Sequence, residues 1–172
     1  MSFDGIFKVY HRDRETGQYK RLAFYDKEGN ELSDGFPSQD GMLNQLLLGH
    51  NRHGFDFEAI GEGRGVPSWY VDSLKKEHPD WFNNDYGWNY NPREGTYYDY
   101  LELRGWAQGN ACDYKDWIAV EYADDDDDDN VFEPPIRNAL KDFIAIVNFY
   151  LEAYNIWCPK PGDVYIICEM SY

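Results

Sequence analysis

Between residues 136 and 154 apolar side chains recur at helical spacing, and no other stretch restricts the fold as strongly. Ile136, Leu140, Phe143, Ile144, Val147, Leu151 and Tyr154 form one stripe, and Ala139, Ile146 and Phe149 add apolar surface on the opposite side. A helix that is apolar around most of its circumference must be covered. The rest of the chain is therefore expected to build round it as a long central C-terminal helix. Pro134 and Pro135 suit its first turn, and Pro159-Lys160-Pro161-Gly162 is expected to end it.

The other segments supply strands. Phe3–Tyr10 and Tyr19–Tyr25 read as two strands around the turn-forming residues 14–18, and Lys27-Glu28-Gly29-Asn30 marks a second turn. Ser38 or Asp40 is placed to cap a short helix through Leu43, Leu46 and Leu47. Phe55–Ile60 alternates like a half-buried strand, and Pro67 or Ser68 opens a helix that Pro79 closes. Residues 96–106 and 116–122 read as further strands, and Val164–Cys168 as a buried last one. Strands and helices mix without a βαβ rhythm. The expected class is α+β, one domain over residues 1–172, with a mostly antiparallel sheet packed against the long helix. With 42% hydrophobic and 18% aromatic residues, general disorder is excluded despite the charge.

That charge is unevenly spread. Residues 1–76 carry 10 Lys/Arg against 12 Asp/Glu, whereas residues 77–172 carry 6 against 20, a balance of −14 within the total of −16. Six consecutive aspartates, Asp124, Asp125, Asp126, Asp127, Asp128 and Asp129, dominate an acidic loop expected at 123–133, between two strongly apolar segments. In an extended chain, carboxylates on one side repeat about every 7 Å, close to the spacing of phosphates along a nucleic-acid strand. Glu121 and Glu133 flank the run and extend the stripe. Such a face fits the cationic groove of a nucleic-acid-handling protein; the plain alternative is a solvated loop that keeps the chain soluble. Direct nucleic-acid binding is disfavoured, because phosphate repulsion opposes it.

A second candidate surface is aromatic. Trp81, Phe82, Tyr86, Trp88, Tyr90, Tyr97, Tyr98, Tyr100 and Trp106 place nine rings within 26 residues. Read as a strand, residues 96–106 would turn Tyr98, Tyr100 and Trp106 to one side. Trp88, Tyr90 and Tyr98 are the rings expected to anchor an Arg/Lys-rich partner, with the carboxylates steering its approach.

Other chemistry finds little support. Starting from Asp124, an EF-hand loop would need Gly at 129 and Glu at 135, where Asp129 and Pro135 stand. His50 and His53 lack a nearby cysteine pair for zinc, so no metal and no cofactor are expected. Gly61-Glu62-Gly63-Arg64-Gly65 has neither the dinucleotide nor the Walker pattern, and no Gly-x-Ser-x-Gly elbow occurs. Cys158, beside Pro159, and Cys168, in an apolar strand, read as packed and inert. No enzyme is expected. Three cysteines, the absence of an apolar run of spanning length and the start Met1-Ser2-Phe3-Asp4 predict a reduced, cytoplasmic protein with no membrane contact.

Arg64-Gly65-Val66-Pro67, with Tyr100-Leu101-Glu102-Leu103 beyond the aromatic loop, and the closing Gly162-Asp163-Val164-Tyr165-Ile166-Ile167 are similar to a group of small phage- and prophage-encoded proteins. The resemblance implies a phage or mobile-element origin and action on host machinery. It carries no catalytic residue, and the aspartate run lies outside it. Together with the charge it leads to an expected function: an anti-CRISPR or anti-restriction type inhibitor that mimics nucleic acid and binds a basic host nuclease or CRISPR effector. An immunity protein against a basic nuclease toxin and a carbohydrate or small-ligand binder using the aromatic loop are the alternatives.

Overall fold

Phe7 and Val9 alternate with Lys8 and Tyr10, and this alternation gives the first strand two unlike faces. The strand, β1 (Asp4–Arg12), is the middle of the sheet. One of its edges is shared by β2 (Tyr19–Arg21), which pairs with residues 10–12, and β3 (Phe36–Ser38), which pairs with residues 5–7. The other edge pairs along its length with β5 (Val164–Ser171), and β5 in turn pairs with β4 (Thr96–Asp99). Every strand pairing among the described residues is antiparallel. A computed structural model provides these coordinates and describes residues 4–32, 36–38, 43, 47–48, 64–83, 90–108 and 133–171. Among the described residues the helices α1 (Ser68–Glu77), α2 (Tyr100–Gln108) and α3 (Glu133–Ala153) accompany the sheet. The class is α+β. The strands expected at 55–60 and 116–122 lie outside the described residues.

The face of the sheet carrying Phe7, Val9, Ile166 and Cys168 buries the main core against α2 and α3. Phe7 meets Phe143 at a ring separation of 5.2 Å. From α3, Leu140, Phe143, Ile144, Val147 and Leu151 are buried, the i, i+3, i+4, i+7 stripe that the spacing predicts. The expectation of a central helix covered all round is corrected. Ala145 and Phe149 on its outer side face solvent, Phe149 at 67% exposure, so α3 lies on the sheet as a one-sided helix.

The end of α3 is also corrected. The helix stops before the prolines, because Asn155 takes a left-handed φ of 59°. Its amide then donates to the carbonyl of Glu152 (2.9 Å), and that of Ile156 to Leu151 (2.8 Å), which is the Schellman pattern.

A third correction concerns residues 96–106. The strand ends at Asp99, whose side chain accepts the amide of Leu101 at 2.8 Å and so caps α2. Asp99-x-x-Glu102 is a capping-box spacing, and it overrides the β-propensity of the tyrosines around it. Gly162 N–H donates to the other Asp99 oxygen at 2.7 Å, which ties the start of α2 to the turn before β5.

Candidate interaction site

The opposite face of the sheet is built from Lys8 and Tyr10 of β1, Tyr97 of β4, and Tyr165, Ile167 and Glu169 of β5. Helix α1 covers it. Pro67 stands at the helix start with φ −63° and ψ 151°, Tyr70 and Leu74 point inward one turn apart, and Lys75 and Lys76 sit in the last turn, where the helix dipole favours cations. Trp69 stacks on Tyr19 (4.2 Å, 14°) and meets Tyr10 edge-on at 5.1 Å.

Inside this aromatic layer lies a polar network. Lys8 Nζ donates to the Tyr70 hydroxyl at 2.8 Å. Tyr70 donates to Glu169 Oε2, and Tyr90 donates to Glu169 Oε1. Lys8 and Glu169 also form an ion pair at 3.8 Å with side chains only 12% and 17% exposed. Ionised groups so far from water are tolerable only when paired and hydrogen-bonded, and here the carboxylate has a donor on each oxygen. Burial, and then the Glu169 charge, push both phenols far above their ordinary pKa, so each remains a protonated donor. Tyr10 is raised as well, by burial first and by Glu77 second.

Tyr90 is tied back to the residues that follow α1. Its amide donates to the Trp81 carbonyl at 3.0 Å, while its ring packs against Trp81 and Phe82. Trp81 itself stacks on His78 at 4.1 Å. The residues joined in this way, 81 and 90, are held by the sheet and α1; Trp88 lies between them, outside the described residues.

A second clamp flanks the network. Arg64 donates to both oxygens of Glu102 at 2.9 and 3.0 Å and lies over the Tyr98 ring, 5.4 Å from its centre. The ion pair thereby links Arg64-Gly65-Val66-Pro67 to Tyr100-Leu101-Glu102-Leu103. Gly95 seats between them: a Cβ there would lie 2.8 Å from Val66 Cγ1 and 3.0 Å from the Cys168 carbonyl oxygen.

Of the residues expected to bind a partner, two are described in full. Tyr90 is half-buried and its hydroxyl is committed to Glu169. Tyr98 is fully buried and donates to the Leu47 carbonyl at 2.7 Å, so its placement as a surface anchor is corrected: it is a core ring. Tyr100 is buried too, which removes the expected exposed aromatic stripe at 98–106. Glu133 is the first residue of α3. Asp124, Asp125, Asp126, Asp127, Asp128, Asp129, Glu121 and Trp88 lie outside the described residues, as do His50, His53 and Cys112.

Cys168 is buried, with its thiol pKa pushed up by desolvation, as suits inert packing. Cys158 is exposed, contrary to expectation. Its neighbour Pro159 restrains the chain without drawing the thiol into the core.

Sequence reasoning missed Lys8, Tyr70 and Glu169. A signal was present: a lysine between Phe7 and Val9, and a glutamate directly after an apolar strand, are charges on strands whose two faces are both covered. Such charges require partners. Among the described residues no group of three His, Cys, Asp or Glu side chains is placed to hold a metal, and no helix is long and apolar enough to cross a membrane. No family model, curated protein or solved structure matches the chain.

Proposed function

We propose that this protein is a non-catalytic, acidic inhibitor, phage-borne and acting in the host cytoplasm. Its target is a cationic protein that handles nucleic acid, of the CRISPR-effector or restriction-nuclease class. In this reading the aspartate run and its flanks, Glu121 and Glu133, occupy the groove that otherwise receives the phosphate backbone. Trp88 contributes an aromatic contact from the segment between Trp81 and Tyr90.

The observation that carries the reading is where the charge falls. Residues 109–132 hold nine Asp/Glu against Lys115 alone, so −8 of the total −16 is confined to the connection between α2 and α3. A solubility function needs only dispersed charge. Concentrated charge of one sign produces a strong local field that speeds encounter with a cationic partner and weakens as salt shortens the Debye length to about 8 Å at physiological ionic strength.

The test compares the wild-type chain with a variant in which Asp124–Asp129 are all Asn, each tagged and used to capture proteins from bacterial lysate. The wild type should retain a nucleic-acid enzyme that leaves as salt rises, and the captured enzyme should lose its activity on DNA or RNA. The Asn variant should retain little of it. Equal capture and equal inhibition by both chains would remove nucleic-acid mimicry as the mechanism.

A further inference from the structure

At the carboxyl end of α3 a cleft of about 460 Å³ opens between the end of β1, the Asn155 turn and the start of β5. Its volume lies in the range of small-molecule sites, about 300–1,000 Å³. Two large rings are left open to water there, Trp157 at 62% and Tyr154 at 41% exposure. Rings exposed together at a concave surface are unusual for residues that serve packing alone.

The polar wall is made by β1 and the turn that follows it. Both carboxylates in the wall are already occupied. Asp163 accepts from Arg14 at 3.0 Å and from the Lys160 amide at 2.9 Å. Asp13 accepts the Glu15 amide at 2.8 Å and pairs with Lys20 at 3.5 Å. These contacts hold both acids below their ordinary pKa, backbone amides acting first and the nearby cations after them. His11 is half-buried at the cleft wall, and desolvation lowers its pKa.

Arg12 differs from its neighbours. Its backbone amide donates to the Asp163 carbonyl at 2.8 Å, which fixes the residue at the rim, while its exposed side chain acts on Asp163 and Tyr165 through charge and forms no hydrogen bond with either among the described residues. A guanidinium presents a planar fork matched to a carboxylate or phosphate, and indole and phenol rings offer stacking faces. The C-terminal dipole of α3 opposes an anion, but the Asn155 and Ile156 amides already occupy the carbonyls of Glu152 and Leu151.

We propose that this cleft binds a small planar anion, an aromatic ring bearing a carboxylate or phosphate, with the ring against Trp157 and the anionic group on Arg12. This site is independent of the acidic run and of the partner it is assigned. Nucleotides and aromatic carboxylates both carry the required chemistry, and the experiment separates them.

The test is calorimetric titration of the full chain with adenosine 5′-monophosphate and with indole-3-acetate, using adenosine and indole as uncharged controls. At least one anion should bind with a Kd below about 1 mM, and its uncharged counterpart at least about tenfold more weakly. Saturation by the nucleotide alone assigns a phosphate ligand; saturation by indole-3-acetate alone assigns a carboxylate. Arg12→Gln should weaken the bound anion at least about tenfold and leave the weak binding of its neutral counterpart unchanged, whereas Trp157→Ala should weaken both. Circular dichroism checks that each variant folds; for a variant that does not, the charged-against-neutral comparison on the wild type decides. No saturable binding of either anion, equal binding of charged and neutral ligands, or binding that survives both substitutions overturns the proposal.

Discussion

Tyr90 donates its hydroxyl to Glu169, a residue 79 positions away on the last strand, and by doing so fastens the aromatic residues that follow α1 to the sheet. Glu169 receives Tyr70 on its other oxygen and faces the Lys8 ammonium, so one carboxylate joins β1, β5, α1 and Tyr90.

Removing that carboxylate breaks the ion pair that Lys8 makes with it at 12% exposure. Glu169→Gln should cost about 3 kcal/mol and Tyr90→Phe about 1 kcal/mol, because the first breaks a largely buried ion pair and the second removes only one hydrogen bond. Urea unfolding should show both as lower midpoints with an unchanged slope. A Glu169→Gln loss no larger than that of Tyr90→Phe would mean the ion pair contributes nothing.

The same network sets a limit in base. Tyr70, Tyr90 and Tyr10 have folded pKa values raised above the ordinary 10.0, by burial first and by Glu169 or Glu77 next. Their contribution is fully present below that value. It is lost as pH rises through 10 toward the raised folded values, since the unfolded chain gives up its phenolic protons first. Each phenol should then lower stability by up to about 1.4 kcal/mol per pH unit, and Tyr70→Phe should make the fall shallower. Urea midpoints measured between about pH 9 and pH 11 test this; an unchanged slope in Tyr70→Phe would count against it.

Gly95 is fitted too closely for a side chain. Gly95→Ala would bring a methyl to 2.8 Å from Val66 and 3.0 Å from the Cys168 carbonyl, and the carbonyl belongs to a paired strand that cannot yield. A loss of about 1–3 kcal/mol is expected from this overpacking, read as a lower thermal midpoint. Gly105→Ala is the control: nothing lies within 4 Å of a Cβ there, and an alanine inside α2 should stabilise by about 0.5–1 kcal/mol.

Asp99 has separate tasks on its two oxygens, capping α2 through Leu101 and holding Gly162 before β5. Asp99→Ala should therefore cost more than a cap alone, about 2 kcal/mol against a typical 1. Asp99→Asn, which keeps one acceptor for the cap, should recover part of it. A cost of Asp99→Ala confined to the cap's share would show that the Gly162 contact is idle.

Much of the framework was legible because its causes are local. Pro67 and Pro79 bound α1 by the geometry of proline, and Leu140 to Leu151 mark the buried stripe of α3 by spacing alone. The charge concentrated at 109–132 needs no coordinates either. Two boundaries were misread where a local signal was available: Asp99 and Glu102 as a helix start, and Asn155 as a helix end. In both, runs of β-favouring tyrosines or a conspicuous proline pair outweighed a single capping residue.

The sequence by itself determined helix α1, the buried stripe of α3, the strands at the two ends of the chain and where the charge is gathered, since periodicity, proline and composition act within a few residues. Only the tertiary structure decided that Tyr98 is core, that Lys8, Tyr70, Tyr90 and Glu169 share one network, and that Arg12 and Trp157 border the same cleft. Those relationships join residues 51 to 161 positions apart, from Leu47 with Tyr98 to Lys8 with Glu169. They depend on which face of a strand is covered and by what, and no pattern of neighbouring residues encodes that.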